Sequence, residues 1–203
     1  MRRRAATGIE AGGERKRRAA APDWRETLFV WRGALHVPAE GAAAAAEGAA
    51  AAAAEGAVHW RGTWVGTSTL EAPPSTAFVG GAACGFSATA SADALPAALA
   101  MASSYELDGT THADDAHSVL LPARGSDGVV AARGSNEFGE FIALGQLEGG
   151  VLTLARRYLS EDDARCSWGD AGAVLAQSGA ATASAAAACT PWLLLPWKVA
   201  AAE

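Results

Sequence analysis

The chain has 203 residues, a formal net charge of −6 and a hydrophobic content of 50%, much of it alanine in runs. This length fits one domain with tails, and the acidic balance argues against a body built to hold a phosphate backbone. Cys84, Cys166 and Cys189 are odd in number and widely spaced. They indicate neither a disulfide framework nor a zinc knuckle, and favour unpaired thiols in a reducing compartment.

Residues 1–25 are predicted to be a disordered basic tail, since they hold eight basic and three acidic side chains. No apolar segment of a secretory signal follows the first arginines. Two basic clusters have the spacing of a bipartite nuclear import signal, namely Arg3, Arg4, Arg15, Lys16, Arg17 and Arg18. We therefore expect an intracellular protein, nuclear rather than cytoplasmic, in which only the tail could touch nucleic acid. A transit peptide and simple arginine enrichment are the alternatives.

Two tryptophan-rich strands are predicted to begin a domain over residues 26–160. Alternation of apolar and polar residues places Trp31 on the buried face of the first strand, and Trp60 and Trp64 on that of the second. Gly62 lies between the last two tryptophans and leaves room for their rings. Both strands contain Trp-Arg-Gly. This is either a true small repeat, or two neighbouring strands that use the same favourable local sequence. We expect all three tryptophans in the core.

A low-complexity insert of alanine, glutamate and glycine, residues 39–57, separates these two strands. It is predicted to be a surface excursion, because its glycines weaken the helix that alanine favours. Weaker strands are expected within residues 77–90 and near residues 105–107 and 119–121, where turn residues such as Asp-Gly and Pro follow.

Residues 128–158 contain three apolar runs separated by two turn signals, which predicts a three-stranded antiparallel meander. Phe141 is expected in the core. Gly134 and Gly139 have the glycine spacing of a phosphate cradle, but they sit between strands, with no helix N-terminus behind them. We predict a hairpin turn there, in which Asn136 and Gly139 supply positive φ angles. About eight strands result, so the fold class is all-β, as a closed barrel or a sandwich.

Residues 161–203 are predicted to be an alanine-rich C-terminal tail. Ser160 to Asp163 suits a helix N-cap or an acidic phosphorylation site. Residues 171–197 lack charge, but their glycines and prolines make a poor membrane span, so none is predicted. The apolar segment 191–197, PWLLLPW, is expected to fold back on the barrel or to bind a partner.

Motifs of catalysis are largely absent from the sequence: there is no phosphate-binding loop, nucleophile elbow or HExxH. The one cluster of metal-type side chains is His112, Asp114, Asp115 and His117. On a strand the two histidines would face opposite sides, so we expect a solvated acidic loop and no metal site. No catalytic residue or cofactor is predicted, and whether the protein is an enzyme stays open, with a non-enzyme favoured.

Gly62-Thr63-Trp64 resembles the GxW signature that opens the first strand of calycins such as lipocalins and avidins. The extension to Gly66 is similar to the GxWxG start of the haem-binding nitrobindin barrels. The resemblance implies a β-barrel that carries a small apolar ligand or haem. In lipocalins a basic residue near the last strand packs over the signature tryptophan, which implies Arg156 or Arg157 over Trp64. The nitrobindin haem ligand is a histidine near the chain end, whereas the last histidine here is His117.

A broader pattern looks like a β-rich domain seen in proteins of unicellular algae and oomycetes. It consists of W-x-G-x-W, then residues 134–141, Gly145 and the R-x-Y-L ending at Leu159. This similarity implies the fold and no particular activity.

The sequence favours a non-enzymatic binding module with a protein or peptide partner. The alternative is a calycin-like carrier of a small apolar ligand or haem. A carrier needs an unfilled barrel interior, whereas the number of large side chains expected to face inward favours a filled one.

Overall fold

The computed structural model describes residues 26–38, 57–69, 71–79, 84–91 and 98–178. The predicted import signal, the insert up to residue 56 and the apolar segment 191–197 lie outside these residues. What the sequence predicts for them stays a prediction.

Eight antiparallel strands close into a barrel in which each strand pairs with the next along the chain and the last pairs with the first. The strands are β1 (Leu28–His36), β2 (Ala57–Thr67), β3 (Cys84–Ser91), β4 (Leu99–Leu107), β5 (Thr110–Leu120), β6 (Gly128–Asn136), β7 (Gly139–Glu148) and β8 (Val151–Tyr158). The predicted all-β fold is confirmed, and of its two alternatives the structure is the closed barrel. The weak strand expected within residues 77–90 begins only at Cys84, after a 3₁₀ turn, Ser75–Phe78.

The repeated Trp-Arg-Gly follows from the pairing of β1 with β2. Their register places Gly33 opposite Gly62 and Trp31 opposite Trp64. A Cβ on Gly33 would lie 2.0 Å from the carbonyl oxygen of Arg61, and one on Gly62 would lie 2.0 Å from that of Arg32. No side chain fits where the two backbones approach this closely. The same tripeptide therefore occurs twice because each strand needs a glycine at the same crossing.

Aliphatic and aromatic side chains fill one end of the barrel interior, which we call the closed end. They form part of one buried cluster, and none of them is more than 8% exposed: Val58, Trp60, Leu99, Met101, Val119, Leu121, Val130 and Leu152. Because inward-facing residues alternate along every strand, all eight strands can contribute to one such core. The closed end thus supplies much of the apolar burial on which the fold depends.

Two short segments cover the outside of the barrel. Helix α1 (Ala171–Gln177) packs through Val174 against the outer faces of β6 and β7, and the Ser75–Phe78 turn packs through Phe78 against β1 and β2. The part of the predicted C-terminal tail that the structure describes therefore lies against the barrel. The cap expected at residues 160–163 is Asp163, which accepts a hydrogen bond of 2.9 Å from the backbone N–H of Arg165 and begins a 3₁₀ turn. In the described part of the chain, no helix has the length and apolar character needed to cross a membrane.

Candidate functional site

A cavity of about 720 Å³ occupies the other end of the barrel interior, which we call the open end. Six aromatic side chains line it: Phe29, Trp31, Trp64, Tyr105, Phe138 and Tyr158. The remaining lining residues are small, polar or at the rim: Thr27, Gly66, Thr67, Ser68, Leu107 and Asp108. The space extends from buried tryptophans to exposed rim residues such as Ser68 and Asp108. We call it the aromatic cavity.

The aromatic wall follows from strand alternation and register. Phe29 and Trp31 are two residues apart in β1 and so face the same side. Trp64 lies opposite Trp31 in β2, and the two indole rings stack with centroids 5.7 Å apart and an interplanar angle of 22°. Tyr105 meets Trp31 edge to face at 5.5 Å. These contacts hold the rings in place around the cavity.

Three side chains of this wall have a buried polar atom without a hydrogen-bond partner among the described residues. These atoms are Nε1 of Trp31, Nε1 of Trp64 and the hydroxyl oxygen of Tyr105. Burial raises the pKa of Tyr105 above its ordinary value, and the neighbouring Tyr158 and the charge of Asp114 raise it further. The phenol therefore keeps its proton and, like the indoles, can donate a hydrogen bond.

A buried ion pair lies inside the barrel near the cavity. Arg156 Nη2 contacts Asp114 Oδ2 at 2.7 Å, and their side chains are 2% and 0% exposed. Asp114 also accepts hydrogen bonds from Asn136 Nδ2 at 2.7 Å and from Ser103 Oγ at 2.9 Å. Burial alone would raise the pKa of Asp114, but the charge of Arg156 and these hydrogen bonds outweigh it and hold the pKa below its ordinary value. The carboxylate is therefore charged at neutral pH.

The guanidinium of Arg156 lies between two aromatic rings. Its central carbon is 4.5 Å from the ring centre of Trp31 and 3.9 Å from that of Phe141. The calycin resemblance implies an arginine over Trp64, and the structure instead places Arg156 over the tryptophan of β1. Arg157 lies on the outer side of β8, where burial and the charge of Arg165 lower its pKa to about 10. Neighbouring positions in a strand face opposite sides, so only one of the two arginines can enter the barrel.

Asn136 links the ion pair to the cavity wall. Its Nδ2 donates to the hydroxyl of Tyr158 at 2.8 Å, and its Oδ1 accepts from the backbone N–H of Phe138 at 2.9 Å. The hairpin turn consists of Glu137 and Phe138 alone, which is shorter than the turn predicted over residues 134–139. Asn136 belongs to β6 and has no positive φ, so the prediction of a left-handed Asn136 is wrong. Gly139 does have a positive φ, of 117°.

Gly134 also lies in β6 and not in the turn. A Cβ on it would lie 2.3 Å from Cβ of His117 and 2.8 Å from Cζ of Phe141. Its glycine therefore makes room for two packed side chains inside the barrel, which is a packing role and not a phosphate cradle.

A β-bulge changes the direction in which the side chains of the His112–His117 segment point. Met101 pairs with His117 and Ser103 with Asp114, so two steps along β4 lie opposite three steps along β5. The extra residue reverses the alternation, and His112 stacks on Tyr105 while His117 packs against Phe141. The expectation that the two histidines face opposite sides is therefore wrong, and so is that of a solvated loop. Among the described residues no group of three such side chains is placed to hold a metal ion.

Of the predicted core residues, Trp31, Trp60, Trp64 and Phe141 are all buried within the barrel. Sequence reasoning missed Tyr105, Tyr158 and the pairing of Asp114 with Arg156. Alternation in β4 and β8 gives the inward direction of the tyrosines, but nothing local in the sequence indicates that Tyr105 meets Trp31 or that Tyr158 meets Phe29. The bulge that turns Asp114 and His117 inward has no local signal in the sequence either.

Comparison of the chain with known protein families, with curated proteins and with solved structures finds no match in any of the three. The architecture, a closed eight-stranded antiparallel barrel, is compatible with a calycin-like barrel.

Proposed function

We propose that this barrel binds a small, largely apolar ligand in the aromatic cavity, as a carrier or sensor does. The observation that carries the proposal is the cavity itself, whose volume of about 720 Å³ lies within the range of roughly 300–1,000 Å³ typical of small-molecule sites. The sequence favours a filled interior, and the closed end is filled. The open end leaves space bordered by six aromatic side chains of the described residues, which supports the carrier alternative.

Haem fits the described residues poorly. Among the described residues that line the cavity there is no histidine, cysteine or methionine, and the two tyrosines are the side chains that could ligate iron. A tyrosine ligand must lose its proton, whereas burial raises the pKa of Tyr105. His112, which stacks on Tyr105, already binds Glu137 through Nδ1. The chemistry of the cavity therefore supports an organic ligand without a metal.

The protein or peptide partner expected from the sequence stays a prediction. A docking surface for such a partner commonly carries a contiguous apolar patch. In the described part of the chain the large hydrophobic side chain that is mostly exposed is Val79, at 85%. No specific observation on this surface favours a partner over a small ligand.

Native mass spectrometry of the protein purified from its own cells tests the proposal directly, because a retained ligand adds a defined mass to the folded chain. A titration with N-phenyl-1-naphthylamine, an uncharged probe whose fluorescence rises in apolar surroundings, tests the location. We expect saturable binding at one site per chain. Ser68→Trp, which places a large ring at the rim of the cavity, should weaken that binding about tenfold or more.

The matched control for Ser68→Trp is Thr89→Trp, since Thr89 is exposed on β3 and does not line the cavity. It should bind the probe as wild type does. Equal binding by both variants, or the absence of saturable binding in wild type, would overturn the proposal.

A further inference from the structure

We propose that the ligand of the aromatic cavity is an organic cation, whose apolar part lies among the rings and whose ammonium group lies at the rim beside Asp108. A protonated or quaternary amine with a hydrophobic body has this chemistry. This inference rests on the proposed small-ligand function and names the chemical class of the ligand.

The lining of the cavity changes from apolar to polar along its depth. Trp31 and Trp64 are only 4% and 7% exposed, whereas Ser68 and Asp108 at the rim are exposed. A charged group at the rim keeps contact with water, whereas the same group among the rings would lose its hydration. The cavity therefore suits a ligand with an apolar part directed inward and a polar or charged group directed outward.

The sign of that charge follows from the lining itself. Asp108 is the one charged side chain among the described lining residues, and none of the ion pairs formed between described residues includes it. It lies in the turn between β4 and β5, directly after Leu107, which also lines the cavity. A carboxylate at this position attracts a cationic group and repels an anionic one, and both effects are stronger beside an apolar wall than in bulk water.

Neighbouring carboxylates add to the negative charge at the open end. Burial raises the pKa of the Cys84 thiol, and the charges of Asp108 and Glu106 raise it further. Cys84 pairs with Trp64 across β3 and β2, so the charges of these two carboxylates are felt in a strand that borders the cavity. They favour a cation over an anion at the rim.

The cations near the cavity are already paired. Arg156, whose guanidinium lies over Trp31, contacts Asp114 at 2.7 Å. The imidazole of His112 contacts Glu137, and this pair has no net positive charge while the carboxylate is ionised. A ligand carboxylate or phosphate would therefore meet Asp108 without a cation to bind it, so fatty acids and phosphorylated ligands fit poorly.

Arg156 also provides a comparison within the same barrel. Its guanidinium lies 4.5 Å from the ring centre of Trp31 and 3.9 Å from that of Phe141, and Asp114 supplies the counter-ion. Aromatic rings attract cations through the negative charge of their faces. The interior thus already holds one cation with two rings and a carboxylate. The rim combines aromatic residues with the carboxylate of Asp108, and a ligand would supply the cation.

Three naphthalenes that differ in one substituent test the sign of the charge in competition with N-phenyl-1-naphthylamine. They are (1-naphthylmethyl)trimethylammonium, 1-naphthylmethanol and 1-naphthylacetate, which are a cation, a neutral molecule and an anion. We expect the cation to displace the probe at a concentration about fivefold or more below that required for the alcohol, and the anion to displace it least. Raising sodium chloride from about 0.02 M to about 0.5 M should reduce the preference for the cation over the alcohol.

Asp108→Asn tests the position of the charge. Asparagine adopts the positive φ of 50° found at Asp108, so the turn should keep its shape. The variant should bind the cation about threefold or more weakly, and bind the alcohol as wild type does. The matched control is Glu148→Gln, which changes the net charge equally at an exposed residue that does not line the cavity. It should leave the affinity for all three compounds unchanged.

Equal displacement by the cation and the alcohol, or preferred binding of the anion, would overturn the ligand class while the proposed function stands. The same holds for an unchanged affinity for the cation in Asp108→Asn, or for equal losses in Asp108→Asn and Glu148→Gln. Absence of binding by N-phenyl-1-naphthylamine and all three naphthalenes would instead overturn the proposed function.

Discussion

The two ends of the barrel interior are built from the same eight strands, but their large side chains pack differently. At the closed end, Val58, Leu99 and Met101 are fully buried against one another. At the open end, Trp31 and Trp64 border a cavity of about 720 Å³. Strand alternation alone decides which side chains face inward. The kind of side chain near each strand end then decides whether the inward face becomes a core or a cavity.

The Arg156–Asp114 pair lies between these two environments. A buried ion pair is not an efficient source of stability, since the cost of removing both charges from water offsets much of their attraction. Here the pair also fixes neighbours: Arg156 contacts the rings of Trp31 and Phe141, and Asp114 holds Asn136, which in turn holds Tyr158. The pair therefore positions parts of the cavity wall.

The largest expected effect is on this pair. Asp114→Asn should lower the free energy of unfolding by about 3–5 kcal/mol at pH 7, because Arg156 would keep a buried charge without its counter-ion. Urea unfolding followed by tryptophan fluorescence measures the change. Ser103→Ala, which removes a neutral donor to the same carboxylate, is the control and should cost about 1 kcal/mol. A loss below about 1 kcal/mol in Asp114→Asn would show that the pair does not organise the interior.

The next effect compares a phenylalanine of the buried cluster with a phenylalanine that lines the cavity. Phe86 is 7% exposed and packs against Trp31 and Trp60, so Phe86→Ala should cost about 3 kcal/mol or more. Phe138 is half-buried beside the cavity, and Phe138→Ala should cost about 1 kcal/mol, since less packing is lost. Equal losses in chemical denaturation would mean that Phe138 is packed as tightly at the cavity as Phe86 is in the buried cluster.

Acid pH should give a smaller and graded effect. The pKa of Asp114 is lowered in the folded protein, so its contribution to stability is fully present above its unfolded pKa of about 3.9 and is lost as the pH falls through the lower folded value. The difference in unfolding free energy between wild type and Asp114→Asn should therefore shrink below about pH 4. Denaturation curves at a series of pH values test this, and a constant or growing difference would contradict the assignment.

The smallest effect concerns the turn at the open end. Gly139 has a φ of 117°, a conformation that side chains with a Cβ rarely adopt. Gly139→Val should lower stability by about 1 kcal/mol or more, whereas Ser135→Ala, at an exposed position in the neighbouring strand, should change it little. A Gly139→Val protein that melts at the wild-type temperature would show that the turn does not require a positive φ at this position.

The fold was predictable because its signals are local. Alternation around Trp31 and Trp64 gives strand faces, and the position of Gly139 after a polar stretch indicates a turn. The same local reasoning failed at Asn136, where the strand continues for longer than the turn chemistry suggests, and at His117, where a bulge in β5 reverses the alternation. Both errors concern pairing between strands, which residue type indicates only weakly.

The sequence alone indicates an all-β chain in which Trp31, Trp60 and Trp64 face inward, because the alternation of apolar and polar residues can be read from neighbouring positions. Three features appear only when the strands are assembled: the sheet closes into a barrel, Arg156 meets Asp114 across 42 positions of the chain, and one end of the interior contains a cavity. Closure depends on the register of all eight strand pairs at once, and the unfilled space depends on how side chains from distant strands divide the interior. Barrel closure and the unfilled space are not properties of a single segment, so no local sequence pattern can predict them.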